Sequence, residues 1–309
     1  MLNELGIYIH IPFCKQKCYY CDFVSYSNKC SEVKEYIESL KKEIEEFDFS
    51  NYKVTSIYIG GGTPSYIDSI YIVEILSELK EKLKCNLIEF KDIEITIEVN
   101  PGTVDTKKLN DYKKSGINRL SIGLQSTKND ILKKIGRIHT YQEFLEIYKL
   151  ARETGFKNIN IDLMIGIPGQ KIGDLKNTLQ DIIKLEPEHI SVYSLIIEEN
   201  TPIEKMLENG EIKLPDEDLE RNMYWYVKNT LESGMLKEEK LNSIQKNEYS
   251  FYRNGKEGTI VSGKPLSIYE KTIFVPNEVP QKVFSEKNII SLESLSTYKI
   301  KYFLMEILF

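Results

Sequence analysis

Three of the five cysteines fall within eight residues, in the run Tyr8-Ile-His-Ile-Pro-Phe-Cys14-Lys-Gln-Lys-Cys18-Tyr-Tyr-Cys21-Asp22-Phe23. An odd cysteine total with this clustering points to metal or redox chemistry rather than to disulfides. A [4Fe-4S] cluster is normally held by four thiolates. Three thiolates from one loop would leave one iron without a protein ligand. That iron could chelate the amino and carboxylate groups of an amino-acid-like molecule such as the sulfonium derivative of methionine. An electron passed from the cluster would then cleave a carbon–sulfur bond and release a 5′-deoxyadenosyl radical. Zinc would need a fourth ligand from His10, Asp22, Cys30 or somewhere distant. A helix face at spacing i, i+4, i+7 is the purely structural alternative, and Pro12 and Asp22-Phe23 oppose it. Cys30, in a polar loop, and Cys85, at the end of a helical stretch, show no comparable pattern.

Other residues of chemical interest lie far apart in the chain. Gly60-Gly61-Gly62-Thr63-Pro64 lets backbone amides approach a ligand closely, but it lacks the Gly-Lys-Ser/Thr of a phosphate-binding loop. Glu98 ends an apolar run, Gln125 follows Ser-Ile-Gly-Leu, and Arg137 could hold a carboxylate in a planar fork. Asp162 sits in Asn-Ile-Asp-Leu-Met, just before Gly166-Ile167-Pro168-Gly169. Of the three histidines, His10 and His189 read as strand-associated structural residues.

Strand-like and helix-like segments alternate through the first two-thirds of the chain. Strands are expected at Gly6–Ile11, Val54–Ile59, Ile93–Val99, Arg119–Leu124, Asn158–Ile165 and Ile190–Ile197, all short and rich in Ile, Val or Tyr. Helical spacing marks Val33–Phe47, Ile70–Lys84, Thr106–Ser115, Tyr141–Thr154 and Asp174–Leu185, with Gly116 and Gly155 placed as helix ends. Such alternation implies parallel strands joined by right-handed crossovers, in either an open barrel or a doubly wound sheet. Both architectures put their chemistry at the carboxyl ends of the strands. The cysteines, the Gly-rich run, Glu98, Gln125 and Asp162 all fall at or near such ends, so one site is expected.

Beyond Thr201 the alternation stops. Helices are expected at Pro202–Glu208 and Asp216–Ser233, the second capped by Asp216, and no sustained period follows Gly234. Tyr298–Phe309 is apolar enough for either a strand or a helix. A net charge of −6 argues against broad contact with a nucleic-acid backbone. Lys-rich stretches alternate with Glu and read as solvated helix faces. No apolar run approaches the roughly 20 residues that span a bilayer, and the N-terminus does not read as a secretory signal. A cytoplasmic protein is expected.

Tyr8 to Phe23 resembles the cluster loop of radical S-adenosylmethionine enzymes, specifically the oxygen-independent coproporphyrinogen III oxidase family. Cys21-Asp22-Phe23 is similar to the HemW-like haem-chaperone branch, because true oxidases usually carry a further cysteine just after the third. The resemblance covers about residues 5 to 233, with its motifs in order. It implies an α/β fold: a partial (β/α)6 TIM-type barrel over 1–200, a helical continuation over 201–235, and a divergent segment over 236–309. It also implies a [4Fe-4S] cluster on Cys14, Cys18 and Cys21. S-adenosylmethionine would be contacted by Tyr8, Tyr20, Gly61, Gly62, Thr63, Glu98, Gln125, Arg137 and Asp162. The implied partners are haem or a porphyrin, haem-accepting proteins, and reduced flavodoxin or ferredoxin as electron donor. The implied activity is haem delivery, or alternatively the oxidative decarboxylation of coproporphyrinogen III propionates. No residue is singled out as a catalytic acid or base.

The resemblance weakens near the C-terminus. Family members continue into a domain with a His-Asn-x-x-Tyr-Trp haem-binding motif. Here no His follows His189, and the one Trp is Trp225. The expectation is a truncated or divergent C-terminus, with haem binding through that motif lost.

Overall fold

The computed structural model describes residues 3–83, 90–234, 248–252 and 270–274. Six strands form its centre: β1 (Asn3–Ile11), β2 (Tyr52–Gly61), β3 (Glu94–Val99), β4 (Arg119–Gln125), β5 (Asn158–Ile165) and β6 (His189–Ser194). Each pairs in parallel with the next in chain order. This order settles the choice left by the alternation. A doubly wound sheet reverses direction at a switch point, whereas a barrel adds each strand to the same side. The sheet is therefore an open (β/α)6 barrel sector.

Two further strands extend it. β7 (Glu248–Tyr252) pairs in parallel with β6, and β8 (Glu270–Phe274) pairs in parallel with β1, giving the order β7-β6-β5-β4-β3-β2-β1-β8. Each is only five residues long, too short to show the sustained period that is missing after Gly234. Without these partners the outer edges of β1 and β6 would present unpaired backbone groups, and an extended segment can pair with them without a long hydrophobic period of its own. Cys85 and Tyr298–Phe309 lie outside the described residues.

Period-two alternation sorts the strands into two faces. On β5, Ile159, Ile161, Leu163 and Ile165 join the main hydrophobic cluster, while Asn160, Asp162 and Met164 alternate with them on the concave side. β3 does the same with Ile95, Ile97 and Val99 against Thr96 and Glu98, and β2 with Ile57 and Ile59 against Tyr58. The cluster is closed by buried faces of α1 (Val33–Glu46), α2 (Ser69–Leu83), α3 (Thr106–Ser115), α4 (Asn129–Lys134), α5 (Tyr141–Glu153) and α6 (Ile172–Ile183), except that α4 packs into a smaller cluster near the barrel mouth. Burying Ile161 or Leu163 completely contributes roughly 1.5–3 kcal/mol each. α4, a helix of six residues, is too short to show a helical period and is not evident in the sequence.

The helix ends follow local chemistry. Gly116 takes φ 109° at the end of α3, and Asp105 accepts the Lys108 amide at its start. Thr140 and Glu143 form a reciprocal capping box on α5. After α7 (Pro202–Glu208), Asp216 Oδ1 accepts the Leu219 amide at 2.7 Å at the start of α8 (Glu217–Gly234), as expected. Among the described residues no helix is long and apolar enough to cross a membrane.

Candidate functional site

The loop after β1 carries Cys14, Cys18 and Cys21 and docks on neighbouring turns through its backbone. Cys14 N donates to Tyr26 O at 3.0 Å, Tyr19 N to Ile135 O at 3.0 Å, and Ile203 N to Tyr19 O at 3.0 Å. The loop is thus held between its own return, the end of α4 and the start of α7. Two of the thiols meet a donor group, and the third faces a hydroxyl that donates to Phe23 O. Thr63 Oγ1 lies 3.5 Å from Cys14 Sγ, Arg137 Nη1 3.5 Å from Cys18 Sγ, and Ser25 Oγ 4.0 Å from Cys21 Sγ. Burial raises the Cys14 thiol, with Thr63 and Ser25 opposing it, and pushes Cys21 up to about 12, with Lys17 opposing it. Such thiols ionise when a metal replaces the proton. Among the described residues no three His, Cys, Asp or Glu side chains converge on a point that suits a single metal ion. A cubane needs no such convergence, since it takes each thiolate at a separate iron.

Opposite this loop, the ends of β2 and β3 meet. Gly61 N donates to Glu98 Oε2 and the Tyr58 hydroxyl to Glu98 Oε1, both at 3.1 Å. Gly62 N donates to Ile11 O and Thr63 N to Phe13 O, each at 2.9 Å. The amides of residues 61 to 63 therefore all have protein partners, contrary to the expectation that they would be open to a ligand. The Thr63 carbonyl in turn accepts from Tyr66 N at 2.8 Å. The glycines are needed for close approach: a Cβ on Gly62 would stand 2.9 Å from Cys14 Sγ, and one on Gly61 (φ 119°) would stand 2.7 Å from the His10 ring.

The far wall comes from β4 and β5. Gln125 is buried at a break in the β4–β5 register with φ 71°, a conformation that strains a side chain-bearing residue. Its Oε1 has no hydrogen-bond partner, nor does buried Arg137 Nε. Buried polar atoms are nearly always paired, so orphaned groups on a cavity wall indicate a missing polar ligand. Arg137 Nη2 donates to Gly123 O at 2.6 Å. Asp162 accepts from Asn160 Nδ2 at 2.7 Å and Ser121 Oγ at 3.1 Å, while burial raises its pKa. Burial likewise raises Tyr20, beside Cys18 and Arg137.

One cavity of ≈ 1300 Å³, open mouth included, unites Cys14, Cys18, Cys21, Tyr20, Gly61, Gly62, Thr63, Glu98, Gln125, Arg137 and Asp162 on its wall. Tyr8 does not reach that wall. It stacks on Tyr58 at 6.2 Å between centroids, and its hydroxyl lies 3.2 Å from His10 Nδ1. His10 Nε2 faces Val24 O at 2.8 Å. A carbonyl only accepts, so Nε2 carries the proton and Nδ1 accepts from Tyr8. The loop at Gly166–Gly169 is also off the wall. The wall includes Tyr58, Asn100, Ser121 and Tyr193, which were not singled out in the sequence. Their signal is the strand period: Tyr58, Ser121 and Tyr193 face inward on their strands, and Asn100 follows Glu98 by two.

Residues 8–182 match the Radical SAM superfamily. Curated relatives named "Heme chaperone HemW" include that of Bacillus subtilis (strain 168), 35% identical over 77% of this chain and 63% of its own length. The Haemophilus influenzae relative of that name is 42% identical over 70% of this chain and 56% of its own. Thus the chain spans about three-fifths of the length of these relatives. Among solved structures, coproporphyrinogen III oxidase (HemN) from Escherichia coli, described as a radical SAM enzyme, superposes with a TM-score of 0.66 at 27% identity, over 76% of this chain and 54% of that one. An archaeal Elp3 from Methanocaldococcus infernus shares the fold at a TM-score of 0.53 and 18% identity, over 90% of this chain and 61% of its own. The superfamily match implies a [4Fe-4S] cluster and S-adenosylmethionine. With a match that spans more than half of its residues and includes the three cysteines, the chain belongs to the radical SAM superfamily.

Proposed function

We propose that Cys14, Cys18 and Cys21 hold a [4Fe-4S] cluster, that the remaining cavity binds S-adenosylmethionine, and that the protein is a haem chaperone of the HemW type. The observation that carries the reading is the wall itself: three thiols, two of them beside donors, face a carboxylate and two orphaned polar atoms across one cavity. A cluster held by Cys14, Cys18 and Cys21 would supply the one-electron reduction of a sulfonium bound in the cavity.

The protein's own groups suit the rest of that ligand. Glu98 and the carbonyls of Gly61 and Gly62 accept from the methionyl ammonium. Arg137, cationic and with Nε unpaired, takes a carboxylate. Gln125 Oε1 accepts from an N–H or O–H of the ligand, and Asp162 accepts from ribose hydroxyls. Tyr20 closes the cluster side.

Haem delivery is favoured by the relatives' names and by Asp22-Phe23 after the third cysteine. Coproporphyrinogen III oxidation is the second reading, favoured by the structural likeness to HemN. We assign residues 1–200 to the barrel, 201–235 to its helical continuation and 236–309 to a divergent segment. Flavodoxin or ferredoxin is the proposed electron donor, and the cytoplasm the proposed compartment.

The deciding experiment is anaerobic iron–sulfur reconstitution followed by spectroscopy of the reduced protein with and without S-adenosylmethionine. A ligand-dependent change in the cluster signal is expected, and a spectrum indifferent to the ligand would refute the open-iron site. Haem titration and assay of coproporphyrinogen turnover then separate the two readings. Substrate-dependent vinyl formation would overturn the chaperone in favour of the oxidase.

A further inference from the structure

Thr63 is buried, and its hydroxyl lies 3.5 Å from Cys14 Sγ and 3.1 Å from Asn100 Nδ2. Together these two contacts define a direction. A metal-bound cysteine sulfur is a thiolate and only accepts, so the Thr63 hydrogen points at Cys14. The Thr63 oxygen is then left as an acceptor, and the Asn100 amide NH₂ is the donor within reach. Asn100 therefore holds the Thr63 rotor in its donating orientation.

Asn100 is itself held at both backbone groups. Its amide donates to Ser65 Oγ at 3.1 Å, and its carbonyl accepts from Thr103 Oγ1 at 2.6 Å. Lys108 Nζ reaches four carbonyls on the same two turns: Ser65 and Ile67 after β2 at 2.7 and 2.8 Å, Tyr66 at 3.3 Å, and Thr103 after β3 at 3.0 Å. The turn that bears Thr63 and the turn that bears Asn100 are thereby locked together, so the hydroxyl–sulfur contact is preorganised.

We propose that Asn100 is a positioning residue that acts through Thr63 to keep a hydrogen bond on the Cys14 thiolate and so raises the reduction potential of the cluster. This rests on the reading of Cys14 as a cluster ligand. Donors to cluster sulfurs offset the negative charge gained on reduction, and groups behind the ligands tune them.

The test is an anaerobic redox titration of the reconstituted full chain followed by electron paramagnetic resonance, with iron and sulfide measured on every sample. Asn100→Ala and Thr63→Val should each move the midpoint potential downward. A tenfold less favourable reduction would be read as about 59 mV for one electron. Thr63→Ser, which keeps the hydroxyl, should stay at the wild-type potential. The decisive arm is the double variant, where Asn100→Ala on a Thr63→Val background should add no further shift. A full Asn100→Ala shift on that background, or a wild-type potential in Asn100→Ala with complete cluster, overturns the proposal. Asn100→Leu repeats the cycle with a side chain of similar size. Loss of cluster iron in both Asn100 variants would also overturn it, in favour of a purely structural role. A wild-type chain that assembles no cluster refutes the ligand assignment itself, a failure visible before any variant is compared.

Discussion

Glu98 grips Gly61: its Oε2 accepts the Gly61 amide at 3.1 Å while its Oε1 takes the Tyr58 hydroxyl. The carboxylate is thereby aimed at the cavity from the junction of two strand ends. Glu98→Gln preserves the shape and removes the charge that would meet an ammonium group. A charged hydrogen bond contributes about 1.5–3 kcal/mol, so calorimetric titration of the anaerobic protein should show S-adenosylmethionine binding weakened by roughly 10–100-fold. Cluster iron should be unchanged. Affinity within twofold of wild type would remove Glu98 from ligand contact.

The cysteines make a sharper case. Cys14→Ala, Cys18→Ala and Cys21→Ala should each abolish stable cluster assembly, read as iron and sulfide per chain after reconstitution. Cys30→Ala should retain full content, because Cys30 is exposed and its sulfur lies 3.1 Å from the Tyr66 hydroxyl, off the cavity wall. Iron loss in the Cys30 variant would require a fourth protein ligand.

Lys108 offers a stability test independent of any cofactor. Its ammonium serves four backbone carbonyls, and Lys108→Met leaves them without that donor. The apo chain should lose about 1.5–3 kcal/mol, the scale of hydrogen bonds to a charged group, seen as a lower urea midpoint. An unchanged midpoint would show that water replaces the ammonium freely.

Acid stability should depend on His189. Its Nδ1 lies 3.0 Å from Arg119 Nη2, which only donates, so the ring is held neutral. Burial, and then the Arg119 charge, push its pKa down to about 3. An unfolded imidazole takes up its proton near pH 6.5. Between those values the unfolded chain binds one more proton than the folded one. The neutral ring's contribution is thus complete above about pH 6.5 and is lost as pH falls toward 3, by at most about 1.4 kcal/mol per pH unit. His189→Gln keeps an acceptor for Arg119 and cannot titrate. Urea midpoints measured from pH 7 to pH 5 should fall less steeply in that variant, and an identical slope would refute the assignment.

The chemistry of the site was written in local patterns. Cys14, Cys18 and Cys21 share one loop, Gly60–Pro64 closes one strand, and Glu98 and Asp162 each stand on a strand whose alternation is visible in a few residues. Gly116 after α3 and Asp216 before α8 were equally legible, because capping depends on neighbours within one turn. Pairings between segments were not. Nothing near Asn100 announces Thr63, and nothing near Arg137 announces Cys18. Tyr8, promising by resemblance, is turned behind Tyr58 by the packing of adjacent strands.

The amino-acid order alone showed the cysteine grouping and at which end of the strands most of the polar candidates sit, since period two and turn residues are short-range properties. The strand order that makes a barrel rather than a doubly wound sheet, the pairing of β7 and β8 on its open edges, and the hydrogen bonds that consume the amides of Gly61 to Thr63 came only with the tertiary structure. Those depend on register and crossover packing between residues dozens of positions apart, which no local pattern encodes.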